Sequence, residues 1–192
     1  MILATNNNNK IREIKQILAD QEILSLSEAG IIIDIKEDQE TFFGNASKKA
    51  KEIYEIIKQP VIADDSGLCI EAFEGWPGVL THRFLGKNAK DKDRNLAILE
   101  KMNNLGAEKR NAKVVCSLVY FDGENLIEGI GNLEGSIPEK PRGEYGFGFD
   151  EIFQIENGKT LAELRSEEKN QTSARFLATL DLKRKLKEAN LI

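Results

Sequence analysis

Apolar and polar positions alternate along the first two-thirds of the chain with periods that predict strands separated by helices. Ile2-Leu3-Ala4 reads as a short buried strand, and Ile11, Ile14, Ile17 and Leu18 form the apolar stripe of the helix after it. Ile23–Leu26 and Ile31–Ile35 read as two further strands, followed by the acidic turn Glu37-Asp38-Gln39-Glu40. Thr41 is placed to cap a helix running to about Lys58, with Phe42, Ala46, Ala50, Ile53 and Ile57 facing inward and Pro60 ending it. Val61-Ile62-Ala63 predicts a buried strand, Asp64-Asp65-Ser66-Gly67 a sharp turn at its C-terminal end, and Leu68–Phe73 a new strand. A helix is expected from Asp91 to about Asn103, with Leu96 and Leu99 inward. The rest reads as antiparallel: Val114–Phe121, the turn Asp122-Gly123-Glu124-Asn125 and a return strand Leu126–Ile137. Pro138 to Gly146 is a loop, Ile152–Ile155 a short strand, Asn157-Gly158 a turn, and Ser173 to Ala189 a closing helix. The pattern predicts an α/β fold on a mixed sheet, with two lobes sharing that sheet in a single domain of residues 1–192 and no linker between them.

Composition narrows the function. Apolar residues make up 41% of the 192, enough for a sizeable core, while 27 basic against 32 acidic residues leave a net charge of −5. This balance excludes a disordered polyelectrolyte and argues against holding nucleic acid by neutralising its backbone. A small phosphorylated ligand is still compatible, because a few local cations suffice for it. Cys69 and Cys116 sit in apolar stretches, as buried small hydrophobes do, and with a single histidine they cannot build a zinc site. The expectation is a reduced, cytoplasmic protein without signal peptide or membrane span.

Five segments carry candidate chemistry. Thr5-Asn6-Asn7-Asn8-Asn9-Lys10 is a strand-to-helix loop that aims backbone N–H groups, a hydroxyl, amides and the Lys10 charge at one point, which suits phosphate. It lacks the glycine and Lys-Ser/Thr spacing of the common ATPase loop. Asp64-Asp65-Ser66-Gly67 offers two adjacent carboxylates at a strand end, a donor set for Mg²⁺. Glu37 can complete that site, and Asn45 and Lys49 lie on one helix face beside it. In Gly143 to Asp150, glycines permit close approach of a flat ligand, Phe147 or Phe149 can stack on it, and Asp150 can accept from ring N–H groups. Finally, Arg175 falls in the first turn of the last helix, where a cation opposes the helix dipole and so calls for another role.

Taken in order, these segments resemble the inosine triphosphate pyrophosphatase family, which hydrolyses non-standard purine nucleoside triphosphates. The likeness spans Leu3 to the last helix and rests on Leu3-Ala4-Thr5 with Asn7 and Lys10, Glu37, Phe42 with Asn45-Ala46 and Lys49-Ala50, Ala63-Asp64-Asp65-Ser66-Gly67, Pro77-Gly78, Gly146-Phe147-Gly148-Phe149-Asp150, and Glu168-Lys169 followed by Ser173 and Arg175. The resemblance implies an elongated mixed sheet with flanking helices and a nucleotide cleft between two lobes, as a homodimer. It implies Mg²⁺-dependent cleavage of ITP, dITP or XTP between the α- and β-phosphates, giving the monophosphate and pyrophosphate. By position, Thr5, Asn6, Asn7, Asn8, Asn9 and Lys10 would bind the triphosphate with Lys49 nearby. Glu37 and Asp65 would hold the metal, and Asp65 would accept the proton of the attacking water. Ser66 would touch substrate, Phe147, Gly148 and Phe149 would pack on the base, and Asp150 would read its edge. Lys169, Ala174 and Arg175 would complete the contacts.

Three positions depart from the family pattern: Asn6 replaces a usual glycine, Glu151 a usual proline, and Ala174 the histidine of a Ser-His-Arg triplet. The last removes a donor to the base and leaves base preference open; His82, the only histidine, or Arg83 is a candidate replacement. Two alternatives follow: the same reaction with an altered base preference, or a nucleotide-binding protein without turnover. A septum-associated relative is disfavoured, because Thr5–Lys10 lacks the Arg-Arg loop that group carries.

Overall fold

The computed structural model describes residues 1–86 and 88–192. Five strands form one sheet in the order β2-β1-β3-β4-β5: β1 is Ile2–Leu3, β2 Leu24–Ser25, β3 Val61–Ile70, β4 Asn111–Phe121 and β5 Leu126–Ser136. β1 pairs in parallel with β2 and with β3, Leu3 lying opposite Ser25 on one side and Ile62 on the other. β4 and β5 form the expected hairpin through Asp122–Asn125. The helices are α1 (Asn8–Ile17), α2 (Phe42–Ile57), α3 (Asp91–Lys101), α4 (Ser166–Lys169) and α5 (Ala174–Glu188). The α/β class and the mixed sheet with flanking helices are therefore as the sequence predicts. Among the described residues, no helix is long and apolar enough to cross a membrane.

The chain forms two compact units, the first of residues 1–66, 116–131 and 174–192, the second of 67–115 and 132–173. In the first, the α2 stripe Ala46, Ala50 and Ile53 packs with Ile2, Ala4, Val61, Ala63 and Val119 into one buried cluster. Thr41 caps α2, its hydroxyl accepting the Gly44 N–H at 2.9 Å, and Lys58 closes the helix in the left-handed conformation at φ 51°. α1 packs against α5. Gly131 of β5 meets α5 so closely that a Cβ there would collide with the Ala174 carbonyl, so glycine is required. The second unit buries Ile98, Leu99 and Met102 of the α3 region together with Ile137, Ile152 and Phe153.

Several sequence expectations fail, each for a physical reason. Asp64–Gly67 is not a turn: β3 runs unbroken through it from the Val61–Ile62 stretch that pairs with β1, and its pairing with β4 on the other edge outweighs local turn propensity. Glu71–Phe73 is a 3-10 turn rather than the end of a second strand. Ile31–Ile35 keeps the alternation of a strand, with Ile31, Ile33 and Ile35 packed on the core and Ile32 fully exposed, but it joins no ladder and is not one. Ile152–Ile155 is not a strand: a 3-10 turn over Asp150–Ile152 is followed by isolated antiparallel bridges from Gln154 to Ser136 and to Thr160. On α3, Leu96 faces outward and Ile98 takes the inward place, alongside Arg94, Asn95 and Leu99.

Candidate active site

The pleat of β3 determines what its acids can do. Successive side chains of a strand point to opposite faces. Val61, Ala63 and Asp65 face α2, whereas Asp64 and Ser66 face α1 and α5. The two aspartates therefore do not converge on one cation, which corrects the expectation of a paired donor set.

On the α2 face, Asn45 is fully buried and links two segments: its Nδ2 donates to Asp65 Oδ2 at 2.8 Å, and its Oδ1 accepts from the Gln39 N–H at 2.9 Å. That tie holds the 37–40 segment beside β3. One helical turn later, Lys49 Nζ donates to Glu37 Oε1 at 2.7 Å and to the Asp64 carbonyl. Asp65 Oδ1 accepts the Ser66 N–H at 3.0 Å. Burial pushes the Asp65 carboxyl up to about 6, and the nearby Glu37 charge adds to this, against the pull of Lys49 and the Asn45 amide. Lys49 is shifted upward: burial works against its charge, but Asp64, Glu37 and Asp65 together outweigh it.

On the opposite face, Asp64 is the centre of a buried ion cluster. Lys10 Nζ lies 2.8 Å and Arg175 Nε 3.5 Å from Asp64 Oδ2. Arg175 also donates to Glu13 Oε2 at 2.6 Å and to Ser66 Oγ at 3.1 Å. Burial alone would raise the Asp64 carboxyl, yet Lys10, Arg175 and Lys49 hold it well below the usual carboxylate range. This is the second role that the first-turn position of Arg175 calls for. Glu13 is a partner that the sequence reading missed, because the contact that buries it joins residues 162 apart.

The Asn-rich loop is the expected link from β1 to α1. Asn7 is the N-cap, its Oδ1 accepting the Asn9 N–H at 3.0 Å and the Lys10 N–H at 3.4 Å, and Thr5 Oγ1 accepts the Asn7 N–H at 3.2 Å. Asn6, Asn7 and Asn8 are exposed, whereas Thr5, Asn9 and Lys10 are half-buried. Positive φ outside glycine occurs, among the described residues, at Lys58, Glu74 and Asn190, so Asn6 replaces glycine without adopting left-handed geometry.

The second unit gathers the aromatic segment. Asp150, buried, accepts the Phe147 N–H at 2.8 Å and the Lys169 ammonium at 2.6 Å through the same oxygen, Oδ2. Lys169 Nζ also sits 4.2 Å from the Phe147 ring centre. Phe149 is stacked with the exposed His82, ring centres 6.5 Å apart at 26°. Gly148 takes φ 65°, a conformation open to glycine. A cavity of about 250 Å³ adjoins this segment, lined in part by Gly146, Phe147, Gly148 and Asp150. Ala174 is buried in the first unit beneath Gly131, and Cys116 is a sequestered thiol, pushed up to about 12 by burial.

The Ham1 family profile matches residues 1–185. This chain belongs to the Ham1 family. A dITP/XTP pyrophosphatase of Clostridium tetani is 40% identical over 194 residues, covering 97% of this chain and 96% of that protein. Among solved structures, a HAM1 protein from Coxiella burnetii superposes with a TM-score of 0.89 at 36% identity, over 97% of this chain and 98% of that one. A nucleoside-triphosphatase, dITP/XTP pyrophosphatase, from Mycobacterium abscessus does so at 0.77 and 32% identity, over 93% and 97%. The family resemblance drawn from the motifs is thus borne out. So is the α/β fold, which this chain shares with its Ham1 relatives at well above a quarter identity.

Proposed function

We propose that this Ham1 protein hydrolyses non-standard purine nucleoside triphosphates (ITP, dITP and XTP) to the monophosphate and pyrophosphate, with Mg²⁺ as cofactor. The observation that carries the reading is the placement of Asp65: a buried carboxylate tied by Asn45 to the segment that carries Glu37, with Lys49 beside both acids and burial raising its proton affinity. Such a group suits a general base that takes a proton from water near neutral pH. The relatives named dITP/XTP pyrophosphatase support the substrate class.

The donor set fits magnesium. Mg²⁺ is held by one or two carboxylates together with substrate phosphates and water, not by a full protein cage. Glu37 and Asp65 would hold the ion, and a divalent cation there would offset both the burial that chiefly raises Asp65 and the Glu37 charge that adds to it. When bound, the ion supplies charge for the developing negative oxygens.

The chain's own residues do the rest. Lys10, in the first turn of α1, binds phosphate oxygens, with Thr5 and the exposed Asn6, Asn7 and Asn8 side chains offering further donors. Asn45 keeps Asp65 and the Glu37 segment in register, and Lys49 neutralises both acids until substrate arrives. Ser66 and Arg175 support the phosphate end, Arg175 from within the ion cluster. Phe147, Gly148, Phe149, Asp150 and Lys169 handle the base. Homodimerisation and a cytoplasmic setting belong to the same reading and rest on the resemblance.

Two observations favour the version with altered base preference: Ala174 brings no donor, and His82 is stacked on Phe149. Pyrophosphate release from ITP, XTP, dITP, GTP and ATP with Mg²⁺ tests both readings. A marked preference for the first three is expected, and a flat panel removes the assignment. Nucleotide binding without any release would instead support the reading without turnover. His82→Ala is expected to change the ranking by several-fold, and an unchanged ranking removes His82 from base selection.

A further inference from the structure

Gly148 is held by one helix through both of its backbone polar groups. Its N–H donates to Asp91 Oδ2 at 3.1 Å, and its carbonyl accepts from Asn95 Nδ2 at 2.9 Å. Both partners lie on the first turns of α3, four residues apart and so on one face. Each is itself fixed. Asp91 Oδ1 takes a 3.1 Å bond from Arg94, which is buried and donates also to the Gly86 carbonyl at 3.1 Å. Asn95, 2% exposed, donates a second bond to Glu151 Oε1 at 2.9 Å. Glu151, the residue that stands in place of the family's proline, therefore has a defined partner. Between these anchors lie Phe149 and Asp150, and Phe147 adjoins them.

Two side chains that fix the N–H and the carbonyl of one residue set the directions of the residues flanking it. The left-handed φ of Gly148 is one that a free loop would exchange with others, since glycine populates several basins. The clamp selects one. We propose that Asp91 and Asn95 are positioning residues for base recognition: they act through the Gly148 peptide on Phe147 and Phe149, and they set how tightly and how selectively the base is held. This rests on the reading that the aromatic segment binds the base. Neither residue needs to touch substrate, so the effect belongs to KM and to the ranking of bases, not to the chemical step.

The experiment is steady-state pyrophosphate release from ITP, XTP, dITP and GTP by wild type, Asn95→Ala, Asn95→Asp, Glu151→Ala and Glu151→Gln. Asn95→Ala is expected to raise KM for ITP about tenfold, as loss of a buried hydrogen bond does, with kcat within roughly threefold of wild type and a flatter ITP-to-GTP ratio. Asn95→Asp keeps the shape but loses the donor and places a charge against Glu151, so it is expected to behave like the alanine variant. Glu151→Gln keeps an acceptor and is expected to recover most of what Glu151→Ala loses. KM and ranking within twofold of wild type in both Asn95 variants would overturn the proposal, as would a fall in kcat at constant KM. A second measurement needs no substrate: hydrogen exchange at the Gly148 amide is expected to speed up in Asp91→Ala while the Ile152 amide, bonded to the Phe149 carbonyl, stays protected. Equal protection of Gly148 in both proteins would count against the clamp even if the Asn95 variants fail to fold. A wild type that releases no pyrophosphate from any of the four overturns the underlying reading. In that case calorimetric binding of ITP and the exchange data still decide the clamp.

Discussion

Asp65→Asn is expected to lose pyrophosphate release by 10²–10⁴-fold, the range for removing a general base, and at the same time to make the metal-free protein harder to unfold at neutral pH. Both effects come from one property. In the folded chain the Asp65 carboxyl is pushed up to about 6, by burial first and by Glu37 second. In the unfolded chain it returns to its ordinary value near 4. Between those two values the unfolded state has released its proton while the folded state still holds it. Stability therefore falls as pH rises through that window and levels off above about 6. The cost at neutral pH is on the order of 2–3 kcal/mol. Asparagine carries no charge to bury, although either orientation of its amide sets a donor against a donor, the Ser66 N–H or the Asn45 Nδ2, and returns part of the gain. The check is a series of thermal midpoints from pH 4 to 8 in chelator. Wild type should decline relative to the variant up to about pH 6 and then run parallel to it. Added Mg²⁺ should raise the wild-type midpoint and leave that of the variant nearly unmoved. Curves parallel throughout would remove the burial argument, and unimpaired turnover would remove the assigned role.

Arg175→Ala is expected to be the most destabilising single change in the first unit, at about 3–5 kcal/mol, because it strands two buried acids. Glu13 loses a 2.6 Å partner and Asp64 loses one of the charges that keep it ionised. For a chain of this length that predicts a fall in thermal midpoint of roughly 6–20 °C. The informative comparison is a double variant, Arg175→Ala with Glu13→Gln, which leaves the same volume empty but removes the stranded Glu13 charge. If uncompensated charge is the cause, the double variant should be more stable than Arg175→Ala even though it lacks the ion pair altogether. A double variant as unstable as the single one would show instead that packing volume dominates.

The main elements were legible because local chemistry and tertiary context agree there. The Thr41 cap, the α2 stripe, the Asp122–Asn125 hairpin and the closing helix all read directly. Legibility failed where non-local pairing decides. Asp64–Gly67 has turn composition, yet it stays extended within β3, which pairs with β4. Ile31–Ile35 has strand composition, yet it joins no ladder. The same limit shaped the site. Asn45 and Lys49 could be placed together from their spacing, whereas Glu13 with Arg175, and Asp91 and Asn95 with Gly148, involve partners 162, 57 and 53 residues apart. No period or motif reports such contacts. What the sequence did offer was oddity: a cation at the wrong end of α5 and an acid in place of a proline, each of which proved to have a specific partner.

Because the neighbouring acids of β3 look out of opposite sides of the sheet, the count of residues leading to them is itself a constraint. A single insertion or deletion between Val61 and Asp64 would exchange the two environments, dropping one carboxylate among Lys10 and Arg175 and turning the other toward Asn45, while inverting every apolar neighbour as well. Substitutions along this stretch can be explored one at a time. Its length cannot, and lineages of this protein should vary in their loops long before they vary there.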